Sequence, residues 1–364
     1  MAFKGYVFSE SHKIRVGLSA NATKVIENDA TTFGIKSFSD CFNIVITNFR
    51  ENAIASKTLF LQRKEREILD SLENCDFPED VRTQVCKALL AREEEKADEK
   101  LAELSAKEPN DVYLPRYINM DNIDYLENEC LEDAQGTTYK TPGMYLKCII
   151  EEYCELPFHK RERIIRKDVF DLIEDAISVK DCLKIKAETK EDGLITCFTC
   201  FVKPYKIITD PLSEMSYLVC KSRRETAPGS PSEEMKIASF ALNRMNKPKR
   251  IKSESSRFTA EEEKEIKERL LKTPPAYLFY GEGEEIHIKL TDEGKRKYQN
   301  LLFSRPVKDK ERSTKDEYVF FCTVNQARNY FFGFGSDAEV ISPPNLRDWF
   351  ARDYRNANAK CQAQ

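Results

Sequence analysis

Residues 194–221 read LITCFTCFVKPYKIITDPLSEMSYLVCK and contain two runs rich in β-branched and aromatic residues. The runs are Leu194–Lys203 and Met215–Lys221, with turn-forming residues between them. Similar runs lie on either side, at Cys182–Ala187 and at Lys236–Leu242. Short strands at such close spacing are typical of a small β-barrel, so the sequence predicts one here.

Cations and aromatic side chains follow these strands. A rim that combines lysine and arginine with tyrosine suits a single-stranded nucleic acid, because phosphates meet the cations while bases stack on the rings. A basic tract from Lys247 to Lys252 extends this rim. Two alternatives stay open: the tyrosines pack inside the barrel, or the last arginine forms a structural ion pair. The candidate binding residues are Lys203, Tyr205, Tyr217, Arg223, Arg224 and Arg244.

The amino-terminal region predicts one strand and two helices. Apolar and polar residues alternate from His12 to Leu18, which places Lys13 and Arg15 on the face opposite Ile14. Helical spacing then predicts a helix over 20–33, stopped by a glycine, and a second helix that begins at a serine cap, residue 37. A lone strand cannot bury its apolar side in a monomer, so we expect a homodimer.

The rest of the chain divides by composition. We expect an α+β multidomain protein with four regions: 1–54, the strand and two helices; 55–177, a helical linker region; 178–256, the small barrel; and 257–364, a carboxy-terminal α+β domain. The helical region is rich in charge and carries a basic cluster at 160–167, which is either a nucleic-acid surface or an ordinary solvated surface. The aromatic residues of the last region predict mainly a core, with a subunit interface as the alternative.

Composition and motifs exclude several classes of protein. The chain has 364 residues, 33% of them charged, a formal net charge of −4, and no apolar run long enough to span a membrane. Its 12 cysteines have no framework spacing, and Cys197 and Cys200 point to opposite faces of a predicted strand. No catalytic cluster, zinc motif or phosphate loop is present. We therefore expect a cytoplasmic, non-enzymatic binding protein without metal, cofactor or membrane contact.

Three stretches resemble known families. The strand and two helices from Ile14 to Phe49 resemble the ribbon-helix-helix family, in which paired strands enter the major groove of DNA. Lys203-Pro204-Tyr205, Ser216–Val219 and Phe240–Arg244 resemble the WYL domain, an SH3-like barrel, although Ser216 replaces its name-giving tryptophan. Ser342–Arg347 is similar to the carboxy-terminal extension of WYL proteins.

This combination resembles the WYL-domain accessory proteins of type VI-D CRISPR systems, which serve antiviral defence. The resemblance implies a protein that binds single-stranded RNA and enhances the RNA-targeting effector nuclease. The alternative is a ligand-responsive transcriptional regulator that binds DNA through Lys13 and Arg15. A purely structural dimeric scaffold is a third hypothesis, and it requires Lys13, Arg15 and Arg244 to be replaceable without loss of nucleic-acid binding.

Overall fold

The computed structural model describes residues 12–73, 75, 77–110, 115–129, 139, 141–191, 194–211, 213–225, 234–280 and 283–362. The chain divides into two compact units, Met1–Lys167 and Asp168–Gln364. Helices and small antiparallel sheets occur in both, as expected of an α+β protein. The finer division into four regions stays a prediction.

The first unit is mainly helical. Its elements in chain order are β1 (Lys13–Arg15), α1 (Ala20–Thr32), α2 (Phe38–Phe49), α3 (Lys57–Glu73), α4 (Glu79–Ala106), β2 (Pro115–Tyr117), α5 (Met120–Asp124), a π-helical turn (Tyr125–Glu129), α6 (Pro142–Glu155) and α7 (Phe158–Ile165).

Local sequence explains where the first helices begin. The Ser19 hydroxyl accepts a hydrogen bond from the Ala22 amide at 3.1 Å. The Ser37 hydroxyl accepts one from the Asp40 amide at 3.1 Å. Each cap satisfies an amide that the helix itself leaves unpaired. Gly34 follows α1 with a φ of +66°, a left-handed conformation that glycine adopts without a steric cost. The predicted bounds of the first helix and the predicted beginning of the second are therefore confirmed to within a residue.

The first strand pairs within its own chain, which removes the reason for expecting it to need a second copy. The homodimer itself stays a prediction. Lys13 lies opposite Tyr117, Ile14 opposite Arg116, and Arg15 opposite Pro115. The sequence predicted only an irregular connection around β2, because Pro115–Tyr117 is too short to show an alternating pattern. With β2 beside it, the strand buries Ile14 in the unit's own core, and the need for a partner chain disappears.

The second unit follows with α8 (Lys167–Val179) and contains two sheets. Its further elements are β3 (Asp181–Glu191), β4 (Leu194–Thr209), β5 (Ser216–Arg224), β6 (Lys236–Ala241), a 3-10 turn (Leu242–Arg244), β7 (Lys249–Ser255), α9 (Ala260–Lys272), a 3-10 segment (Pro275–Tyr280), β8 (Glu284–Leu290), α10 (Asp292–Asn300), β9 (Lys308–Asp309), β10 (Glu317–Cys322), α11 (Val324–Phe331), a second 3-10 segment (Phe332–Asp337), β11 (Ala338–Ser342) and α12 (Pro344–Gln362).

The larger sheet is open, whereas the sequence predicted a closed barrel. Its strand order is β6-β5-β4-β3-β7, and every pair is antiparallel. After the single 3-10 turn, β7 returns to pair with β3 at the far edge. A barrel closes only when a ladder joins its two edge strands, and none joins β6 to β7 within the described residues. Most of the basic tract 247–252 lies in β7. The sequence did not predict this strand, because its charged residues show no run of apolar or β-branched residues.

The smaller sheet has the order β11-β8-β10-β9. Aromatic rings from β10, α11 and the segment after it pack together, with Phe320, Phe331 and Phe334 almost completely buried. The ring centroids of Phe331 and Phe334 are 5.3 Å apart, a separation typical of favourable aromatic pairs. The expectation that most of these aromatics form a core is confirmed.

The described helices include none that is both long enough and apolar enough to cross a lipid bilayer.

The close approach of α6 to β1 makes Gly143 essential. A Cβ atom at this position would clash with the Arg15 carbonyl oxygen, a backbone atom that cannot rotate away. We expect Gly143→Ala to lower the free energy of unfolding by about 1–3 kcal/mol, despite the higher helix propensity of alanine. Urea denaturation measures this change. At Gly333 an added Cβ meets no atom within 4 Å, so Gly333→Ala is the matched control. Equal stability of the two variants contradicts the prediction.

Glu152 in α6 gives the first unit a pH dependence. Its Oε2 accepts the Ile54 amide at 2.8 Å, and burial raises its pKa from 4.5 to about 7. The folded state therefore binds the proton more tightly than the unfolded state. The stability that protonation adds is fully present below about pH 4.5 and is lost as the pH rises through about 7.

We expect Glu152→Gln, which stays neutral, to gain stability relative to the wild type as the pH rises from about 5 to about 8, by roughly 2–3 kcal/mol. Thermal unfolding across this range measures the difference between the two proteins. Glu99→Gln, at an exposed position of α4, controls for the loss of one negative charge. A difference that does not change with pH refutes this role of Glu152.

Candidate nucleic-acid interface

The two faces of the five-stranded sheet have different neighbours. One face packs against α8, and its alternating residues such as Leu183, Val202 and Leu218 are buried. On the other face, Val219 packs with α9 and the segment that follows it. Because side chains alternate along a strand, neighbours in sequence lie on opposite faces. The predicted opposite orientation of Cys197 and Cys200 is confirmed, since the first is exposed and the second is buried among the residues that face α8.

Lys203 lies where α9 covers the second face, and its charge is already paired. Its Nζ is 2.9 Å from Glu262 Oε2 and 4.4 Å from the centre of the Phe258 ring. Lys221, directly across the strand pair, lies 3.6 Å from Glu262 and 2.9 Å from Glu265. These contacts tie α9 to the sheet, and they leave the Lys203 ammonium little freedom to meet a phosphate.

The pKa shifts agree with these ion pairs. Burial alone disfavours the charged form of Lys221, but hydrogen bonds and charges from Glu265 and Glu262 outweigh it and raise the pKa of this lysine. For Glu262, burial also disfavours the charged form, but hydrogen bonds from the Thr259 amide and Lys203 outweigh it and lower the pKa of this carboxyl. Both side chains therefore stay charged at neutral pH, as a structural ion-pair cluster requires.

The two predicted stacking tyrosines have packing neighbours. Tyr205 lies at a bulge of β4 and meets the Phe258 ring edge-on, with centroids 5.4 Å apart. Tyr217 is only 8% exposed, which leaves little ring surface for a base. The geometry of both residues favours packing, the alternative that the sequence had left open.

Farther along the second face, beyond Lys203 and Lys221, four residues form a continuous row across the strands. Lys249 on β7 pairs with Lys184 on β3, Lys184 pairs with Phe201 on β4, and Phe201 pairs with Arg223 on β5. We call Lys249, Lys184, Phe201 and Arg223 the sheet row. The Arg223 guanidinium lies 4.9 Å from the centre of the half-buried Phe201 ring. The sheet row thus combines three cations with one aromatic ring.

The charges of the sheet row are only partly neutralised. Lys184 pairs with Glu225, whereas Arg223 and Lys249 have no ion-pair partner among the residues that the structure describes. The exposed Lys186 lies two residues beyond Lys184, on the same face of β3. A negatively charged ligand on this face therefore meets free positive charge beside a ring, an arrangement that suits phosphates and bases together.

The remaining predicted residues lie elsewhere. Arg224 is on the α8 side of the sheet, with its guanidinium 4.5 Å from the Phe198 ring centre. Arg244 is exposed and ends the 3-10 turn after β6, whose last residue, Ala241, pairs with Tyr217. Tyr217 is six residues, or about 20 Å, from Arg223 along β5. Lys13 and Arg15 belong to the first unit. Of the predicted residues, only Arg223 lies in the sheet row.

Sequence reasoning missed Lys184 and Phe201 and included Lys249 only as part of the basic tract that extends the rim, although a signal for Lys184 was present. Lys184 lies between Leu183 and Ile185, so strict alternation already places it on the face opposite the core. Phe201 and Lys249 could not be assigned in this way. The partners across the strands depend on register, and β7 was not recognised as a strand.

Comparison with solved structures gives an informative likeness. No protein-family model matches the chain, and no curated protein matches it. The solved structure described as "Crystal structure of a CRISPR Cas-related protein" covers 98% of this chain and 96% of its own, with a TM-score of 0.70 at 19% sequence identity. This likeness shows a shared fold.

A second solved structure, proteasome accessory factor B/C (PafBC) of Arthrobacter aurescens, covers 67% of this chain and 36% of its own at 11% identity. Its TM-score of 0.27 is too low to support a shared fold.

The ion pairs of Lys203 predict a structural role. We expect Lys203→Ala to lower the free energy of unfolding by about 1 kcal/mol and to leave nucleic-acid affinity within about twofold. Thermal unfolding and fluorescence anisotropy with a labelled single-stranded RNA measure the two effects. Glu262→Gln, which removes the partner charge, should give the same pattern. Loss of RNA affinity in the Lys203 variant alone shows instead that this lysine contacts the ligand.

Proposed function

We propose that this chain is a non-catalytic accessory protein that binds single-stranded RNA and enhances an RNA-targeting type VI-D CRISPR effector nuclease in the cytoplasm. The sheet row is the observation that carries RNA binding, because it combines unpaired cations with a half-buried aromatic ring on one sheet face. The full-length likeness to a CRISPR Cas-related protein supports the system in which the chain acts. The WYL-like and ribbon-helix-helix-like stretches support the same assignment.

The sheet row suggests how RNA is held. Lys249 and Arg223 attract phosphates, while a base stacks on Phe201 or on the planar guanidinium that already lies above it. Each stacked base contributes about 1–3 kcal/mol, independently of its identity. Such a site gives affinity with little sequence preference, which suits a protein that delivers varied RNA to a nuclease. The cleavage itself belongs to the effector, so no catalytic group or cofactor is assigned to this chain.

The transcriptional-regulator hypothesis has less support. A dyad-symmetric DNA site is matched by two copies of the same strand, whereas β1 pairs with the different strand β2. A homodimer stays part of the proposal, but its contact is then formed by another surface.

Binding measurements on full-length protein test the proposal. We expect single-stranded RNA of roughly 20 nucleotides to bind more tightly than duplex RNA or duplex DNA. Arg223→Ala should weaken RNA binding about five- to tenfold and reduce the slope of log K against log salt by about 0.7. Arg355→Ala, at an exposed position of α12, is the charge-matched control and should leave affinity unchanged.

Cleavage assays test the accessory role. A type VI-D effector nuclease with its guide RNA should cleave a reporter RNA faster in the presence of the wild-type chain, and less so with Arg223→Ala. Tighter binding to duplex DNA than to RNA favours the transcriptional regulator. RNA binding that survives the loss of Arg223 and of Lys249 removes the sheet row as its basis.

A further inference from the structure

The ribbon of the first unit presents a second surface with free cations and an exposed ring. Lys13 and Arg15 are exposed on either side of the buried Ile14. On the paired strand, Tyr117 lies directly opposite Lys13 and is 47% exposed. The ring centres of His12 and Tyr117 are 6.3 Å apart. We call Lys13, Arg15 and Tyr117 the ribbon face.

Hydrogen bonds hold the backbone of this face in place. The Asn43 side chain of α2 donates to the Tyr117 carbonyl at 2.9 Å and accepts the Asn119 amide at 2.9 Å. The Ile118 amide donates to the His12 carbonyl at 2.8 Å. Beneath the ribbon, Arg116 stacks on Phe38 with its guanidinium 3.9 Å from the ring centre. A binding surface on such a fixed backbone loses little conformational entropy when a ligand binds.

The charges of the ribbon face are free. Neither Lys13 nor Arg15 has an ion-pair partner within the part of the chain that the structure describes, in contrast to Lys203 and Lys221 on the sheet. The two cations are two residues apart on one strand, so their Cα atoms are about 7 Å apart on the same side. This arrangement can contact neighbouring phosphates of one extended strand.

The two strands of the ribbon differ, and this difference selects the ligand. One strand supplies cations and the other supplies an aromatic ring. In a duplex the bases already stack on each other, so an exposed tyrosine gains most from an unpaired base. We propose that the ribbon face is a second binding site for single-stranded RNA, with phosphates on Lys13 and Arg15 and a base on Tyr117. This inference rests on the proposed function, since it assigns a further contact to the same class of ligand.

Photo-crosslinking of full-length protein tests this site directly. The probe is a uridine-rich single-stranded RNA that carries 4-thiouridine, and mass spectrometry identifies the crosslinked peptide. We expect a crosslink to the peptide that contains Tyr117, both in the wild type and in Arg223→Ala. The yield of this crosslink should fall at least fivefold in Lys13→Ala/Arg15→Ala, because the phosphate contacts are lost. It should persist in Tyr117→Phe, because phenylalanine keeps the stacking surface. Arg66→Ala/Lys87→Ala removes the same two charges from exposed positions of α3 and α4 and serves as the control.

The outcomes separate this inference from the proposed function. RNA binding by the wild type without a crosslink at the Tyr117 peptide, and with unchanged affinity in Lys13→Ala/Arg15→Ala, overturns the ribbon site and leaves the proposed function intact. Absence of RNA binding in the wild type overturns both. A competition experiment gives a further outcome, in which duplex DNA removes the Tyr117 crosslink more effectively than unlabelled single-stranded RNA does. That result shows that the ribbon face binds duplexes in preference, and it overturns the inference. Circular dichroism of each variant confirms that it is folded.

Discussion

The alternation of side chains along antiparallel strands determines which residues of this protein can meet a ligand. Each strand must bury one face against a core, and its intervening residues then face outward. Ile14 is buried in the first unit, so Lys13 and Arg15 are exposed. In the second unit Leu183 and Ile185 face α8, which places Lys184 on the other side of the sheet. Both candidate surfaces are consequences of this single constraint.

Coverage by helices then separates structural cations from available ones. Lys203 and Lys221 lie on the same sheet face as Arg223, but the carboxylates of α9 pair with them. Beyond the contacts of α9, Arg223 and Lys249 have no such partners among the described residues. A lysine in an ion pair must break that pair before it meets a phosphate, whereas an unpaired cation has only to lose water. Lys203 and Arg223 look equivalent in the sequence, but the fold gives them different surroundings.

The strength of the local signal decided how well each element could be predicted. The first two helices were predictable because serine caps and apolar stripes are local features. Two strands escaped detection for opposite reasons. Pro115–Tyr117 is too short for a pattern, and Lys249–Ser255 is an edge strand with a charged sequence. Without β2 the first strand had no visible partner in its own chain, and without β7 the edge of the larger sheet beside β3 could not be assigned.

The sequence by itself determined the α+β class, the amino-terminal helices, most strands of the larger sheet and the outward orientation of Lys13, Arg15 and Lys184, because all of these depend on residues close together in the chain. Only the tertiary structure decided which side chains meet. Lys13 lies opposite Tyr117 across more than 100 residues of chain, and Lys249 reaches Lys184 through β7. Strand pairing over such separations is fixed by burial of whole faces and by register. Neither quantity is present in any short stretch of sequence.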